Sequence, residues 1–309
     1  MSGKMMQAVR YHQFGGSEVL HVEEVTIPEP SENEVLVRIV AAGVLPVDWK
    51  IRKGRLPMPI QFPYLPGTAF SGVIAEVGAG VTDFQIGQQV FGRSTKGTYA
   101  QYTTAPTAAI ALKPYSLSFD EAAAISGGAT TAWRAIVEDG NVQAGERVLI
   151  HGAAGGVGQF AIQFAKWRGA YVIGTAGSGN IEFVRSLGAD EVIDYNAARF
   201  EETANEMDLV LDTVGGETLE RSMSVIKRGG RLITIADQPS MEKAKELGIK
   251  VVRGSLATSK DLTAIARLID EGIVRTTIGP AYTLHEVRQA HERSETGHGR
   301  GRIVLHIEE

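Results

Sequence analysis

Hydrophobic residues in the first third of the chain alternate with polar ones in short runs. These Val- and Ile-rich runs are separated by Gly and Pro, and they read 7-QAVRYHQF, 18-EVLHVEEV, 33-NEVLVRIVAAG, 72-GVIAEVGAG and 88-QQVFGR. Partial alternation bounded by turn residues predicts β-strands. Strands this short and this closely spaced predict a mostly antiparallel barrel or sandwich-like body over residues 1–110.

A helical period replaces this alternation after residue 117. The segment 118-SFDEAAAISGGATTAWRAIVEDG predicts two helices broken at Gly127 and Gly128. Ser118 is followed three residues later by Glu121, which is the capping-box pattern of a helix start.

From residue 147 onwards, apolar strands alternate with helical segments. The strands read 147-RVLIHG, 170-AYVIGTA, 190-DEVIDY, 207-MDLVLDTV, 230-GRLITIA and 249-IKVVRG. Alternation of this kind predicts a parallel sheet with helices on its faces. Six such strands fit an α/β, doubly wound nucleotide-binding sheet.

The tail changes character again. Segments 276-TTIGPAYTL and 302-RIVLHIEE read as strands on either side of a helix, 285-HEVRQAHERSETG. We expect these strands to return to the first body. The sequence therefore predicts a discontinuous first domain, residues 1–118 and 275–309, and a dinucleotide-binding domain, residues 119–274.

Composition narrows the class of protein. The chain has 309 residues, of which 43% are hydrophobic and 22% charged, and its net charge is −5. These values are typical of a globular protein and argue against a nucleic-acid or anionic-membrane partner. No apolar run approaches the ~20 residues of a membrane span. The first residues contain no apolar secretory segment, and a cytoplasmic location is expected.

Four glycines separate the first strand of the parallel series from its helix in 150-IHGAAGGVGQFAIQFAKWRGA. The chain must turn sharply there, and Gly152 and Gly155 can adopt backbone angles that side chains forbid. The helix is predicted to start near Gly156, where free N–H groups and the helix dipole favour a phosphate. Gly156 would admit a pyrophosphate to the backbone, and Gly158 would let the helix lie close to the strand.

The match to the pattern G-x-G-x-x-G is incomplete, because Ala153 stands at its first position. A tight turn into a packing helix, without any ligand, is the alternative. The position after an apolar strand, at the head of a six-strand α/β series, favours dinucleotide binding.

The end of the second strand bears on the choice of dinucleotide. NAD-binding folds usually carry Asp or Glu there, whereas 171-YVIGTAGSGN offers Thr175, Ser178 and Asn180. A carboxylate would repel a 2′-phosphate, so its absence favours NADPH over NADH. The loop contains no Lys or Arg, so the phosphate charge must be balanced from elsewhere. A plain glycine-rich turn is the alternative.

Several motifs in order resemble those of the medium-chain dehydrogenase/reductase superfamily, in its zinc-independent quinone oxidoreductase branch. They are 41-AAGVLPVDWKIRKG, 66-PGTAFSGVIAEVGAGVTDFQIGQQVFG, 151-HGAAGGVGQFAIQFAK, 187-LGADEVIDY, 211-LDTVGG and 296-TGHGRGRIVL. The resemblance implies a GroES-like, partly open β-barrel domain plus a Rossmann domain, and a homodimer. It also implies hydride transfer from NADPH to a small-molecule quinone or α,β-unsaturated carbonyl.

The sequence does not offer the zinc ligands of the superfamily's alcohol dehydrogenases. Leu45 stands where they have a Cys, and Thr68 and Ala69 stand where they have His and Glu. The chain has no cysteine, and no two of its seven histidines are four residues apart. No metal is therefore expected. Relatives also commonly have Asn at the Leu45 position and often Asp at the Ala69 position, so both departures could alter substrate choice or activity.

The resemblance implies a set of cofactor-binding residues, from the pyrophosphate to the nicotinamide. They are Gly155, Gly156, Val157, Thr175, Ser178, Tyr195, Thr213, Val214, Ala236, Thr130 and Arg300. Tyr195 could instead be a half-buried strand end, and Arg300 a solvated charge in a hairpin.

The chemistry requires an oriented acceptor and a hydrogen bond to the oxyanion that develops on it. Asp48, Tyr64 and Thr130 are the predicted catalytic residues, with Tyr64 or Thr130 as the donor and Asp48 orienting its neighbours. Tyr64 could also be an ordinary aromatic residue in a Pro-rich loop. An enoyl-thioester reductase and a non-enzymatic NADPH-binding sensor or structural protein stay open as alternative functions.

Overall fold

The computed structural model describes residues 4–307 and contains fifteen strands and eight α-helices in that range. The strands are β1 Met5–Arg10, β2 His21–Thr26, β3 Glu34–Val44, β4 Ala69–Val77, β5 Gln89–Arg93, β6 Tyr102–Pro106, β7 Ile110–Leu112, β8 Arg147–Ile150, β9 Tyr171–Ala176, β10 Glu191–Asp194, β11 Met207–Asp212, β12 Ile226–Thr234, β13 Lys250–Val251, β14 Ile278–Thr283 and β15 Arg302–His306. The helices are α1 Pro46–Arg52, α2 Phe119–Trp133, α3 Gly158–Trp167, α4 Ile181–Ser186, α5 Gly216–Ser222, α6 Met241–Leu247, α7 Ser259–Asp270 and α8 Val287–Glu295. Glu308 and Glu309, the end of the predicted last strand, lie outside the described residues.

The chain forms two compact units. Among the described residues, the first comprises 4–127, Thr258–Asp270 and 276–307, and the second comprises Gly128–Ala257 and Glu271–Arg275. Residues 119–127 and α7 thus group with the first unit, whereas the sequence assigned them to the dinucleotide-binding domain. Helix α7 packs against β7, and the Ser116 hydroxyl donates to Asp270 at 2.7 Å. The domain boundaries drawn from the sequence stay a prediction.

The first unit is built on a mostly antiparallel sheet of seven strands. Its order is β14-β15-β3-β4-β5-β7, with β6 also paired to β3, and a separate hairpin joins β1 to β2. Strand β15 pairs antiparallel with β3, so the tail joins this sheet as the sequence predicted. The core contains Val37, Ile39, Phe70 and Tyr99, all buried.

The second unit is built on a six-stranded parallel sheet in the order β10-β9-β8-β11-β12-β13. Numbered from the first strand of the unit, this order is 3-2-1-4-5-6, the doubly wound arrangement that the sequence predicted. The strand order reverses between β8 and β11, so a crevice is expected where the loops after these two strands diverge. The glycine loop follows β8 at that point.

The predicted break at Gly127 and Gly128 is wrong, because α2 continues through both residues to Trp133 and runs into a π-helical turn, Arg134–Glu138. A mid-helix glycine costs only about 1 kcal/mol, which packing can offset. A Cβ on Gly127 would lie 2.5 Å from Leu45 Cδ2, and one on Gly128 would lie 1.9 Å from the Gly156 carbonyl oxygen. The two glycines therefore serve close packing. The predicted capping box is confirmed, with Ser118 N–H donating to Glu121 at 2.9 Å.

Candidate active site

The loop between β8 and α3 leaves no room for side chains at its key glycines. Gly152 has φ +66°, in the left-handed region that favours glycine. A Cβ on Gly158 would lie 2.3 Å from the Gly152 carbonyl oxygen and 2.7 Å from Ala153 Cα. The N-terminus of the ten-residue helix α3 has no side-chain cap. An uncapped helix start after a glycine turn fits a pyrophosphate.

Directly before this loop, His151 is buried and neutral. Its Nδ1 lies 3.0 Å from the Thr175 hydroxyl, and its Nε2 lies 3.0 Å from the Ser222 hydroxyl. Ser222 donates its own proton to the Thr218 carbonyl at 2.6 Å, so His151 Nε2 must donate to Ser222 and Nδ1 must accept from Thr175. Burial lowers the pKa of His151 to about 4, with Arg221 adding to the effect. His151 thereby links the ends of β8 and β9 to α5.

The predicted adenosine residues lie at the ends of β9 and β10. Thr175 is buried and its hydroxyl is used by His151, whereas Ser178 and Tyr195 are exposed. A Cβ on Gly177 would lie 2.9 Å from the Tyr195 hydroxyl, so Tyr195 covers this glycine. Asp194, which ends β10, accepts a hydrogen bond from Asn196 N–H at 2.9 Å, and the neighbouring Ser178 hydroxyl lowers its pKa.

The loops after β11 and β12 gather at the same edge of the sheet. The Thr213 hydroxyl donates to the His151 carbonyl at 2.8 Å, and Val214 is exposed. Asp212 is buried and accepts from Gly215 N–H at 3.0 Å and from the Thr234 hydroxyl at 3.1 Å. The Ala236 Cβ lies 3.2 Å from where a Gly215 Cβ would stand. A buried carboxylate therefore fixes the turn that presents Thr213 and Val214.

The other two predicted cofactor residues, Thr130 and Arg300, lie outside the segments that form this edge of the sheet. Thr130 lies in the part of α2 that belongs to the second unit, two residues after Gly128, and is buried. Arg300 belongs to the first unit, in the turn before β15.

In the first unit, Asp48 is a buried helix cap. Its carboxylate accepts from Leu45 N–H at 2.8 Å at the start of α1, and from the Tyr99 hydroxyl at 2.7 Å. Burial raises the pKa of Asp48 to about 6, although these two hydrogen bonds and the guanidinium groups of Arg302 and Arg93 act in the opposite direction. Asp48 is thus engaged with the protein's own groups.

The surroundings of Asp48 are aromatic and basic. Arg302 is buried, its Nε has no hydrogen-bond partner, and burial lowers its pKa to about 10. Tyr64 is half-buried, and its ring lies 5.3 Å from that of Tyr11. Burial, with a smaller effect from Asp48, raises the pKa of Tyr64. Its hydroxyl therefore stays protonated and able to donate.

A second buried basic group lies on α1. The Arg52 guanidinium donates to His291 Nδ1 at 2.9 Å and also pairs with Glu295. Burial, reinforced by Arg52, lowers the pKa of His291 to about 3, so this imidazole is neutral. Its Nε2 is buried without a hydrogen-bond partner. Helices α1 and α8 are joined by this group.

The positions of the absent zinc ligands are occupied by packing residues. Leu45 and Ala69 are buried, and the Leu45 side chain fills the space beside Gly127. The Thr68 hydroxyl is buried without a hydrogen-bond partner. Among residues 4–307, no group of three or more His, Asp or Glu side chains could hold a metal ion.

The structure therefore brings most of the predicted cofactor residues to one edge of the parallel sheet. The predicted catalytic pair Asp48 and Tyr64 belongs to the first unit. Sequence reasoning missed Tyr99, Arg302, His151, Asp212 and Asp194. Pro46, followed two residues later by the acid Asp48, is a sequence signal of a helix start. Nothing in the sequence indicates that Asp48 contacts Tyr99 or lies near Arg302.

Two family models match the chain. The alcohol dehydrogenase GroES-like domain matches residues 31–115, and the zinc-binding dehydrogenase model matches residues 187–305. The quinone oxidoreductases of Homo sapiens and Mus musculus are 33% and 34% identical, each over 98% of both chains. The chain belongs to the medium-chain dehydrogenase/reductase superfamily, in its quinone oxidoreductase branch. The predicted GroES-like domain is confirmed by the first model.

Solved structures agree over nearly the whole length. The quinone oxidoreductase from Coxiella burnetii superposes with a TM-score of 0.93 at 32% identity, covering 99% of this chain and 100% of that one. The Escherichia coli quinone oxidoreductase complexed with NADPH gives 0.89 at 30% identity, covering 97% and 99%. Within residues 4–307, no helix combines the length and apolar character that crossing a bilayer requires.

Proposed function

We propose that the protein is an NADPH-dependent oxidoreductase that transfers hydride to a quinone or an α,β-unsaturated carbonyl without zinc. The observation that carries this proposal is the glycine loop after β8, which opens an uncapped helix at the point where the strand order reverses. The similarity to a quinone oxidoreductase solved with NADPH supports the choice of cofactor class.

The proposed cofactor site runs along the carboxyl edge of the parallel sheet. Gly155, Gly156 and Val157 form the pyrophosphate site, in which Gly156 and Val157 offer backbone N–H groups at a helix start without a side-chain cap. The Gly155 N–H donates to the Gly152 carbonyl at 2.9 Å, so Gly155 shapes the turn. Ser178 and Tyr195 lie at the adenosine end. The loops that carry Thr213, Val214 and Ala236 approach the nicotinamide end. Thr130 and Arg300 complete the proposed set. When bound, the nicotinamide supplies the hydride.

The proposed catalytic residues orient the acceptor and stabilise its developing negative charge. Tyr64 is half-buried and its phenol is protonated at neutral pH, so it can donate a hydrogen bond to an oxyanion. Thr130 is the second proposed donor. Asp48 acts by positioning, since its carboxylate already accepts from Leu45 and Tyr99.

Three further properties belong to this proposal. The reaction needs no zinc, because Leu45, Thr68 and Ala69 supply no set of metal ligands. The protein is a homodimer, and it acts in the cytoplasm.

The test is oxidation of NADPH on addition of 1,4-benzoquinone or a short enone, in the presence and absence of a chelator. We expect turnover that the chelator leaves unchanged. Turnover with enoyl thioesters but not with free enones would favour the thioester reductase instead. Tight NADPH binding without turnover over a broad panel of acceptors would favour the non-enzymatic alternative.

Two glycine variants test the loop itself. Gly158→Ala places a Cβ against the backbone of Gly152, and we expect NADPH binding at least about tenfold weaker. Gly254→Ala adds the same methyl group where nothing lies within 4 Å, and should bind normally. Equal affinities for the two variants would contradict the proposed site.

A further inference from the structure

Strand β10 ends at an acid, Asp194. The usual sequence pattern of dinucleotide-binding folds looks for the ribose-binding acid at the end of the second strand instead. Strand β10 lies beside β9, with Asp194 in register with Ala176. Tyr195 N–H donates to the Ala176 carbonyl at 3.2 Å, which ties the end of β10 to the loop after β9. Since parallel strands end at one edge of a sheet, Asp194 lies at the edge where dinucleotide-binding folds usually present an acid, one strand away from the second strand that usually carries it.

The carboxylate of Asp194 is held in place by its neighbours. Asn196 N–H donates to it at 2.9 Å. The neighbouring Ser178 hydroxyl, first, and Asn196 lower the pKa of Asp194, so the group is ionised at neutral pH. Ser178, predicted to bind a 2′-phosphate, thus lies close to a side chain that is itself an anion.

Basic side chains of α4, of α5 and of the segment after β10 are paired with acids other than Asp194. Arg185 pairs with Glu182, and both Arg199 and Arg221 pair with Glu201. The loop Gly177–Asn180 contributes no Lys or Arg. An anion brought to this loop would therefore meet a fixed negative charge, whereas a ribose 2′-hydroxyl could donate to it.

We propose that Asp194 is a specificity-determining residue that disfavours binding of the 2′-phosphate. It thereby lowers the preference for NADPH over NADH below the preference expected from a second strand that carries no acid. This inference rests on the proposed function, because it assumes that the loop after β9 receives the adenosine ribose. It names an acid supplied by the third strand of the sheet in place of one from the second.

The experiment measures the dissociation constants of NADH and NADPH by calorimetry for the wild type and for Asp194→Asn. We expect the ratio of the two constants to shift about tenfold toward NADPH in the variant, because like charges a few ångströms apart repel at a partly exposed site. Asp194→Ser gives a second neutral side chain that can still accept from Asn196, and should shift the ratio in the same direction.

Glu182→Gln is the matched control. It removes one negative charge from α4, which follows the same loop, but Glu182 is exposed and paired with Arg185. An unchanged ratio in both Asp194 variants, or an equal shift in Glu182→Gln, would overturn the inference while leaving the proposed function intact. Failure of the wild type to bind either nucleotide would overturn both.

Discussion

Two buried polar clusters, one in each unit, differ in electrical state. Around Asp48, the first unit buries ionised side chains, including Arg302 and Arg52. Beneath its glycine loop, the second unit buries a neutral imidazole, His151, between the hydroxyls of Thr175 and Ser222. Charges can be buried only when partners remain, whereas a neutral chain of hydrogen bonds tolerates burial at a smaller cost.

This difference predicts which changes destabilise each unit. In the first unit, loss of one partner leaves an uncompensated charge. In the second, gain of a proton by His151 creates a charge where none was present. The expected effects therefore differ in size and in their dependence on pH.

The largest expected effect is that of Asp48→Ala. The change leaves Arg302 without its nearby carboxylate, and leaves the Tyr99 hydroxyl and Leu45 N–H without their acceptor. Breaking a buried charged group in this way costs about 3–5 kcal/mol. Amide hydrogen exchange would report this as a loss of protection in β3, resolved separately from amides of β8.

Asp83→Ala provides the control in the same unit, because Asp83 is exposed and should change stability by no more than about 0.5 kcal/mol. Loss of protection in β3 no greater than in this control would show that the buried cluster contributes little.

The contrast also explains which features the sequence predicted. The parallel sheet and its glycine loop could be predicted because strand, turn and helix are adjacent in the chain. Backbone geometry also requires glycine at Gly152 and Gly158. The cluster around Asp48 could not be predicted, because Tyr99 and Arg302 are distant from it in sequence. The pairing of β15 with β3 brings in Arg302, and backbone hydrogen bonds to Val9 and Pro66 position Tyr99. The helix α2 was misread because the packing of Leu45 and Gly156 outweighs the weak helix propensity of glycine.

An intermediate effect is expected from acid. The pKa of His151 falls from 6.5 in the unfolded chain to about 4 in the folded one. Below pH 6.5, His151 therefore binds a proton in the unfolded chain but not in the folded unit. The free energy of unfolding decreases as the pH falls toward 4. The full loss is about 3 kcal/mol.

His151→Gln should remove this part of the acid dependence, because glutamine does not titrate. The measurement is denaturant unfolding between pH 4 and 7, with both proteins in a Trp49→Phe background. The fluorescence then comes from Trp133 and Trp167, which are stacked in the second unit. Glu201, whose pKa Arg221 lowers to about 2, acts in both proteins and cancels in the comparison. Parallel pH profiles for wild type and variant would refute the assignment of a neutral buried imidazole.

The first unit should respond to acid less simply. The pKa of Asp48 rises from 3.8 to about 6 on folding. Its contribution to the free energy of unfolding therefore decreases as the pH rises from about 4 to about 6. His291, whose pKa falls from 6.5 to about 3, acts in the opposite direction. The two groups partly offset each other, whereas His151 acts in the second unit without an opposing buried carboxyl of raised pKa among the described residues.

The predicted site residues show the same division. Gly155, Gly156 and Val157 could be proposed from local pattern alone, because an anion-binding helix start is a local feature. His151 could not, since its partners come from β9 and α5. Asp194 could not, since its place beside the loop after β9 follows from the pairing of β10 with β9. Thr175 was predicted from its position at a strand end, but the pattern does not tell whether a side chain points inward, and its hydroxyl bonds His151.

The smallest expected effect concerns helix caps, which occur in both units. Ser240 caps α6 by accepting from Lys243 N–H at 3.3 Å, as Asp48 accepts from Leu45, but Ser240 is exposed. Ser240→Ala should cost about 1 kcal/mol, because water replaces the lost acceptor, and Ser240→Asp should restore the stability. The measurement is hydrogen exchange of the amides of α6. A loss as large as that of Asp48→Ala would mean that burial does not set the difference between the two caps.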